Sequence, residues 1–151
     1  MIADALYRWL VVSILSISPI SELRGAIPVG IGFGLDPLSV IAVSIIFNAL
    51  VFFPAYFGLT MFHDTILYRS KFIEGQLARI HKKRHLVDKY GYLGLCIFVL
   101  IPLPLTGAWT GSILAWLLGM EWKKSFVAIA VGVLGAGIIV SFLTLGAVSL
   151  F

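Results

Sequence analysis

An all-α integral membrane protein made of two inverted repeats is the fold class this sequence predicts, on three observations. Of its 151 residues, 60% are hydrophobic and 12% charged, and mean hydropathy is +1.06. That is too little polar surface for a soluble domain of this length. Two uncharged stretches, 37–62 and 125–151, are each long enough to cross a bilayer as a helix. Each is preceded by two short apolar arms with a Pro/Gly break between them, so one layout occurs twice. Each repeat reads as a re-entrant helical hairpin plus a transmembrane helix, joined by a basic cytoplasmic amphipathic segment, all in a single membrane domain, 1–151.

The first repeat covers 1–62. Its hairpin spans about 5–35, beginning with ALYRWLVVSILSI, 13 residues where a helical crossing needs about 20. Pro19 to Pro28 forms the break, and VGIGFGL is the second arm. Asp36-Pro37 is a helix start, with Asp as N-cap and Pro in the first turn. The transmembrane helix 37–62 carries Asn48 near its middle and Pro54 as a kink.

Residues 63–89 form the connector. Between Arg69 and Lys89 it holds Arg69, Lys71, Arg79, Lys82, Lys83, Arg84 and Lys89 against Glu74 and Asp88. Its apolar spacing (Ile66, Ile73, Leu77, Ile80) predicts an interfacial, partly helical segment. Flanked by hydrophobic spans, such basicity fits cytoplasmic placement beside anionic lipid rather than nucleic-acid binding.

The second repeat, 90–151, has its hairpin at about 90–119 around the break IPLPLTGAWTG. Glu121, Trp122, Lys123 and Lys124 mark an interface, and the transmembrane helix runs 122–150. Gly25-Ala26 and Gly107-Ala108 occupy matching places, each followed by a further glycine, Gly30 and Gly111. With the connector inside, re-entrant hairpins put the first hairpin's mouth outside and leave Lys123 and Lys124 inside. If each broken segment crossed straight, those lysines would lie outside; the charge rule favours the hairpins.

Glu22 and Arg24 fall in the first break, a costly depth for charge unless it faces water, a partner or a ligand. Arg24, with its planar fork, suits a phosphate or carboxylate. Glu22 suits a proton carrier or a counter-ion to Arg24. Helix ends at both tips add N–H groups that favour an anion. The candidate substrate site is therefore Arg24, Glu22, Gly25, Asn48, Thr106, Gly107, Trp109 and Thr110, with Glu22 coupling. The bland alternatives stay open: a Glu–Arg lock, Trp109 as packing, Asn48 as interhelical glue. Ala128, Gly132 and Ala136 recur every fourth residue, a close-packing seam for another helix or a second copy, and a homodimer would help so small a chain enclose a cavity.

Other chemistry finds little support. The single Cys96 cannot form a disulfide within the chain. His81 and His85 lie a turn apart among basic residues with no third ligand, so no metal is expected. No Ser-His-Asp set, Walker loop or GxGxxG stands out, so neither an enzyme nor a cofactor is expected. The N-terminus lacks the basic cluster and cleavage site of a secretory signal.

SELRGAIPVGIGFG together with PLPLTGAWTG resembles the small multidrug export family of short prokaryotic membrane proteins, a likeness covering nearly the whole chain. That family is similar in layout to the DedA (SNARE-associated, VTT) superfamily. The resemblance implies two oppositely oriented re-entrant hairpins in a multi-pass protein of the prokaryotic cell membrane. It also implies a secondary transporter or flippase moving an amphipathic anion such as a polyprenyl-phosphate lipid, with Glu22 matching the acidic residue of the DedA first hairpin. DedA proteins carry arginines at the second hairpin, where this chain has Thr106 and Gly107. Either Arg24 takes over anion binding or the substrate differs. The alternatives are a cationic multidrug exporter, and a non-transporting scaffold whose mark would be a dry tip with both charges engaged.

Overall fold

A computed structural model describes residues 2–62, 89–102 and 106–150. The expected basic connector, apart from Lys89, lies outside the described residues. Those described are helical throughout, with no strand. The helices are α1 (Ile2–Ile17), α2 (Glu22–Gly32), α3 (Pro37–Leu50) and α4 (Phe52–Met61). They continue with α5 (Lys89–Leu100), α6 (Ala108–Leu117) and α7 (Trp122–Ser149).

Two helices are long and apolar enough to cross a membrane, Pro37–Met61 (α3 with α4) at 25 residues and α7 at 28. At 1.5 Å per residue they reach about 38 and 42 Å, past the ~30 Å hydrocarbon slab. The 16 residues of α1 reach only about 24 Å, and the 10 of α6 about 15 Å.

Local chemistry sets the boundaries. The Asp36 side chain accepts from the Ser39 amide at 2.9 Å and the Ser39 hydroxyl at 2.7 Å, starting α3 as the sequence predicts. Pro54 lacks an N–H, so the Leu50 carbonyl four residues back has no ladder partner, and the long helix steps between α3 and α4 there. The first break is narrower than the expected Pro19 to Pro28. It is a turn at 18–21, and Pro28 sits inside α2 on its exposed side.

A short turn folds the first pair of arms back. In the first pair the Arg8 guanidinium donates to the Phe33 carbonyl at 2.7 Å, while the Ser21 hydroxyl donates to the Leu15 carbonyl at 2.9 Å. These pairs straddle the turn, so α1 and α2 run antiparallel rather than as one straight rod. Gly30 of α2 is where the arms and the span cross: a Cβ there would lie 2.6 Å from Val40 of α3 and 3.0 Å from Val12 of α1. Gly111 of α6 does the same work in the second half, against Val99 of α5 and Ile129 of α7.

The core lies where the halves meet, among Leu23, Ile27, Phe52, Leu95, Val99, Ile129 and Val133. The small-residue seam of α7 is used within the chain. A Cβ on Gly132 would come 2.8 Å from the Cys96 carbonyl oxygen, and one on Gly137 2.7 Å from Ile45. Of the two expected uses of this seam, another helix or a second copy, packing on other helices is the one seen, with α5 and α3 as the partners.

Candidate functional site

Breaking a helix where it is packed away from water strands its terminal carbonyls and amides, each costly without a partner. At the end of α1, the Ser16 carbonyl accepts from Asn48 Nδ2 at 2.9 Å. The Ile17 carbonyl accepts from the Trp109 indole at 2.7 Å, across 92 residues of chain. Trp109 and Asn48, read from sequence as packing, glue or substrate contacts, therefore seal a helix end from two other elements.

Arg24 and Glu22 perform the same task on the second tip. One guanidinium nitrogen, Nη2, donates to the Thr106 carbonyl and hydroxyl, both at 3.2 Å, and lies 3.5 Å from the Ile101 carbonyl. Thr106 in turn donates to the Ile101 carbonyl at 2.6 Å. A cation at the C-terminal end of α5 is the sign a helix dipole favours.

The Glu22 carboxylate, on a residue 6% exposed, lies at the N-terminus of α6. The Trp109 amide donates to its Oε1 at 3.4 Å. The carboxylate rests so closely on Gly107 that any Cβ there would overlap it. An anion at a helix N-terminus completes the pattern. Each charge of the first tip thus engages a helix end of the second tip.

Two features are not explained by capping. Glu22 has φ +49°, the left-handed region, where L-residues other than glycine pay roughly 1–2 kcal/mol. Asn48, 1% exposed, donates through Nδ2 but its Oδ1 has no hydrogen-bond partner among the described residues. The bond to the Ser16 carbonyl fixes which end of the amide is which. Ser44, one turn earlier on the same face, also has an unpartnered hydroxyl.

Glu22, Arg24, Asn48 and Gly107 line one pocket with Leu23, Val99, Val133 and Ala136, and it has no space for a water molecule. The tip is dry. Gly25, Thr106, Trp109 and Thr110 lie outside this lining; Gly25 packs on Ser21, and Thr110 sits half-buried in the first turn of α6. Sequence reading missed Ser21, whose place within the break was its only signal. Among the described residues no group of three His, Cys, Asp or Glu side chains could hold a metal ion.

With this geometry in place, comparison with known proteins gives one finding. Residues 22–139, most of the chain and all of the site, match a family described as "Putative small multi-drug export protein". Comparison with curated proteins and with solved structures gives no match.

Proposed function

The chain belongs to the small multi-drug export family, and from that premise we propose that it is a proton-coupled secondary transporter whose gate is the pair of contacts that Glu22 and Arg24 of the first tip make with the second. The observation that carries this is the Glu22 carboxylate seated on the α6 N-terminus beside Arg24. A place built for one carboxylate suits a substrate's anionic head equally well. In this reading the arms are re-entrant hairpins in inverted repeats, supported by the matching crossings at Gly30 and Gly111 and by helices too short to span. The basic connector lies on the cytoplasmic side.

Protonation of Glu22 removes the charge that the α6 N-terminus and Arg24 attract. It also creates an O–H donor, and the Asn48 Oδ1 in the same pocket is an acceptor in need of one. The side chain leaves the helix end, relieving its left-handed backbone, and an amphipathic anion takes its place. The DedA-like substrate, a polyprenyl phosphate, fits this scheme. Proton and anion enter together, so an inward proton gradient drives the anion inward.

The family description favours a second reading, export of a cationic drug. There the drug and the proton compete for Glu22, with Trp109 as an aromatic wall. The dry tip is what a mere scaffold would show. The strained Glu22 backbone and the orphaned Asn48 acceptor argue against that, since a lock gains nothing from either.

Binding of an isoprenyl phosphate and of ethidium to purified protein, measured between pH 6 and pH 8, separates all three. For the anion reading, isoprenyl phosphate binds tighter at low pH, and Glu22→Gln binds it tightly at every pH while Arg24→Ala loses it. For the cation reading, ethidium binds tighter at high pH and Glu22→Gln abolishes it. Binding of neither would leave the scaffold.

A further inference from the structure

A groove of about 500 Å³ runs along the seam between α5 and α7, remote from the tip contact, lined by Tyr92, Leu93, Cys96, Val127, Ala128 and Val131, with Lys123 and Lys124 at its mouth. We infer that this groove is a binding site for one anionic phospholipid of the surrounding bilayer, its phosphate at the two lysines and an acyl chain laid along the apolar floor. The inference does not rest on the transport reading, and its test reads binding alone.

Charge selects the occupant. Lys124 pairs with Glu121 at 2.8 Å, so the two lysines and one carboxylate leave one net positive charge at the mouth. A phosphodiester carries one negative charge and answers it. Lys123 lies 5.6 Å from the centre of the Trp122 ring and Lys124 6.0 Å from that of Tyr92. The aromatic faces hold both ammonium groups where lipid head groups lie. The Tyr92 oxygen accepts from the Glu121 amide at 3.3 Å, leaving its own proton to donate to a phosphate oxygen.

Shape selects a chain. From Lys123 to Val131 the floor runs eight residues along α7, about 12 Å of helix. Its sides are apolar and open to the bilayer: Leu93 is 70% and Val131 54% exposed. Buried Ala128 keeps the floor low between these taller side chains. A zwitterionic lipid would fill the same trough but gain nothing from the net charge.

The test is retention of lipid by the full chain from mixed micelles of phosphatidylglycerol and phosphatidylcholine with the same acyl chains, read by native mass spectrometry. The expected result is a several-fold preference for one phosphatidylglycerol. In Lys123→Gln/Lys124→Gln the preference falls to parity, and in Lys123→Arg/Lys124→Arg it persists. Cys96, the chain's single cysteine, supplies a second measurement, because it lines the groove. Phosphatidylglycerol should slow its reaction with a micelle-soluble maleimide several-fold more than phosphatidylcholine does. Equal retention of the two lipids by the parent, or an undiminished preference in the double glutamine variant, would overturn the inference. So would a Cys96 reaction rate indifferent to head group.

Discussion

Glu22 and Arg24 stand two positions apart, yet each works on a different end of a distant break. Arg24 holds the carbonyls of Thr106 and Ile101, and Glu22 holds the amide side of α6. The charged break itself was legible from the sequence, because ions are rare in so apolar a chain. Thr106, Gly107 and Trp109 were legible as members of the same site, but which of their atoms the charges engage was not, because backbone carbonyls and amides leave no compositional trace and lie more than 75 residues away. Arg24→Ala is predicted to lower stability in detergent by about 1–3 kcal/mol, since it removes charge-assisted hydrogen bonds to the part-buried Thr106 carbonyl and hydroxyl. Thr106→Val is predicted to cost less, and the two losses to be non-additive, because both groups serve the Ile101 carbonyl. Thermal unfolding of the single and double variants checks this; simple additivity would contradict a shared network.

Helix starts and stops divide into those that local chemistry dictates and those that packing decides. Asp36-Pro37 was readable because an Asx cap and a first-turn proline act within four residues. Pro28 misled: it is the seventh of the eleven residues of α2, where a proline forfeits a ladder bond, yet the helix continues through it with the ring on its exposed side. Hydrogen bonds from the Ser39 hydroxyl and amide hold the Asp36 carboxyl below its ordinary range. A carboxylate with a depressed folded pKa stabilises above its unfolded pKa, near 3.9, and that contribution is lost as pH falls through the lower folded value. Asp36→Asn keeps an oxygen acceptor but cannot titrate. It is predicted to flatten the acid limb of unfolding below about pH 4 while changing little at pH 7; an unchanged acid limb would rule the cap out as its source. At the α5–α7 seam, Gly132→Ala is predicted to destabilise by about 1–3 kcal/mol, since the new methyl meets a backbone carbonyl that cannot rotate away. Gly146→Ala, with open space around it, should be neutral or better in the same unfolding assay.

At the scale of the whole molecule the all-helical fold and its two long apolar helices were legible, because uninterrupted hydropathy marks them. How the halves meet was not, since the contact runs through a strained backbone and a dry pocket that pattern cannot encode. With re-entrant hairpins, an impermeant maleimide applied to a Cys96→Ala background should label Ala3→Cys only from outside. Lys123→Cys should label only from the cytoplasm. Ile20→Cys, at a tip residue 94% exposed, should label from neither side, and its labelling from the cytoplasm would mean that the first hairpin crosses fully. The most direct measurement of the tip contact itself is a double-mutant cycle on unfolding free energy with Glu22→Ala and Gly107→Ala. Because a methyl at 107 collides with the carboxylate at 22, the alanine at 107 should cost about 1–3 kcal/mol in the parent and nearly nothing once Glu22 is gone. An equal cost in both backgrounds would show that the two tips do not touch.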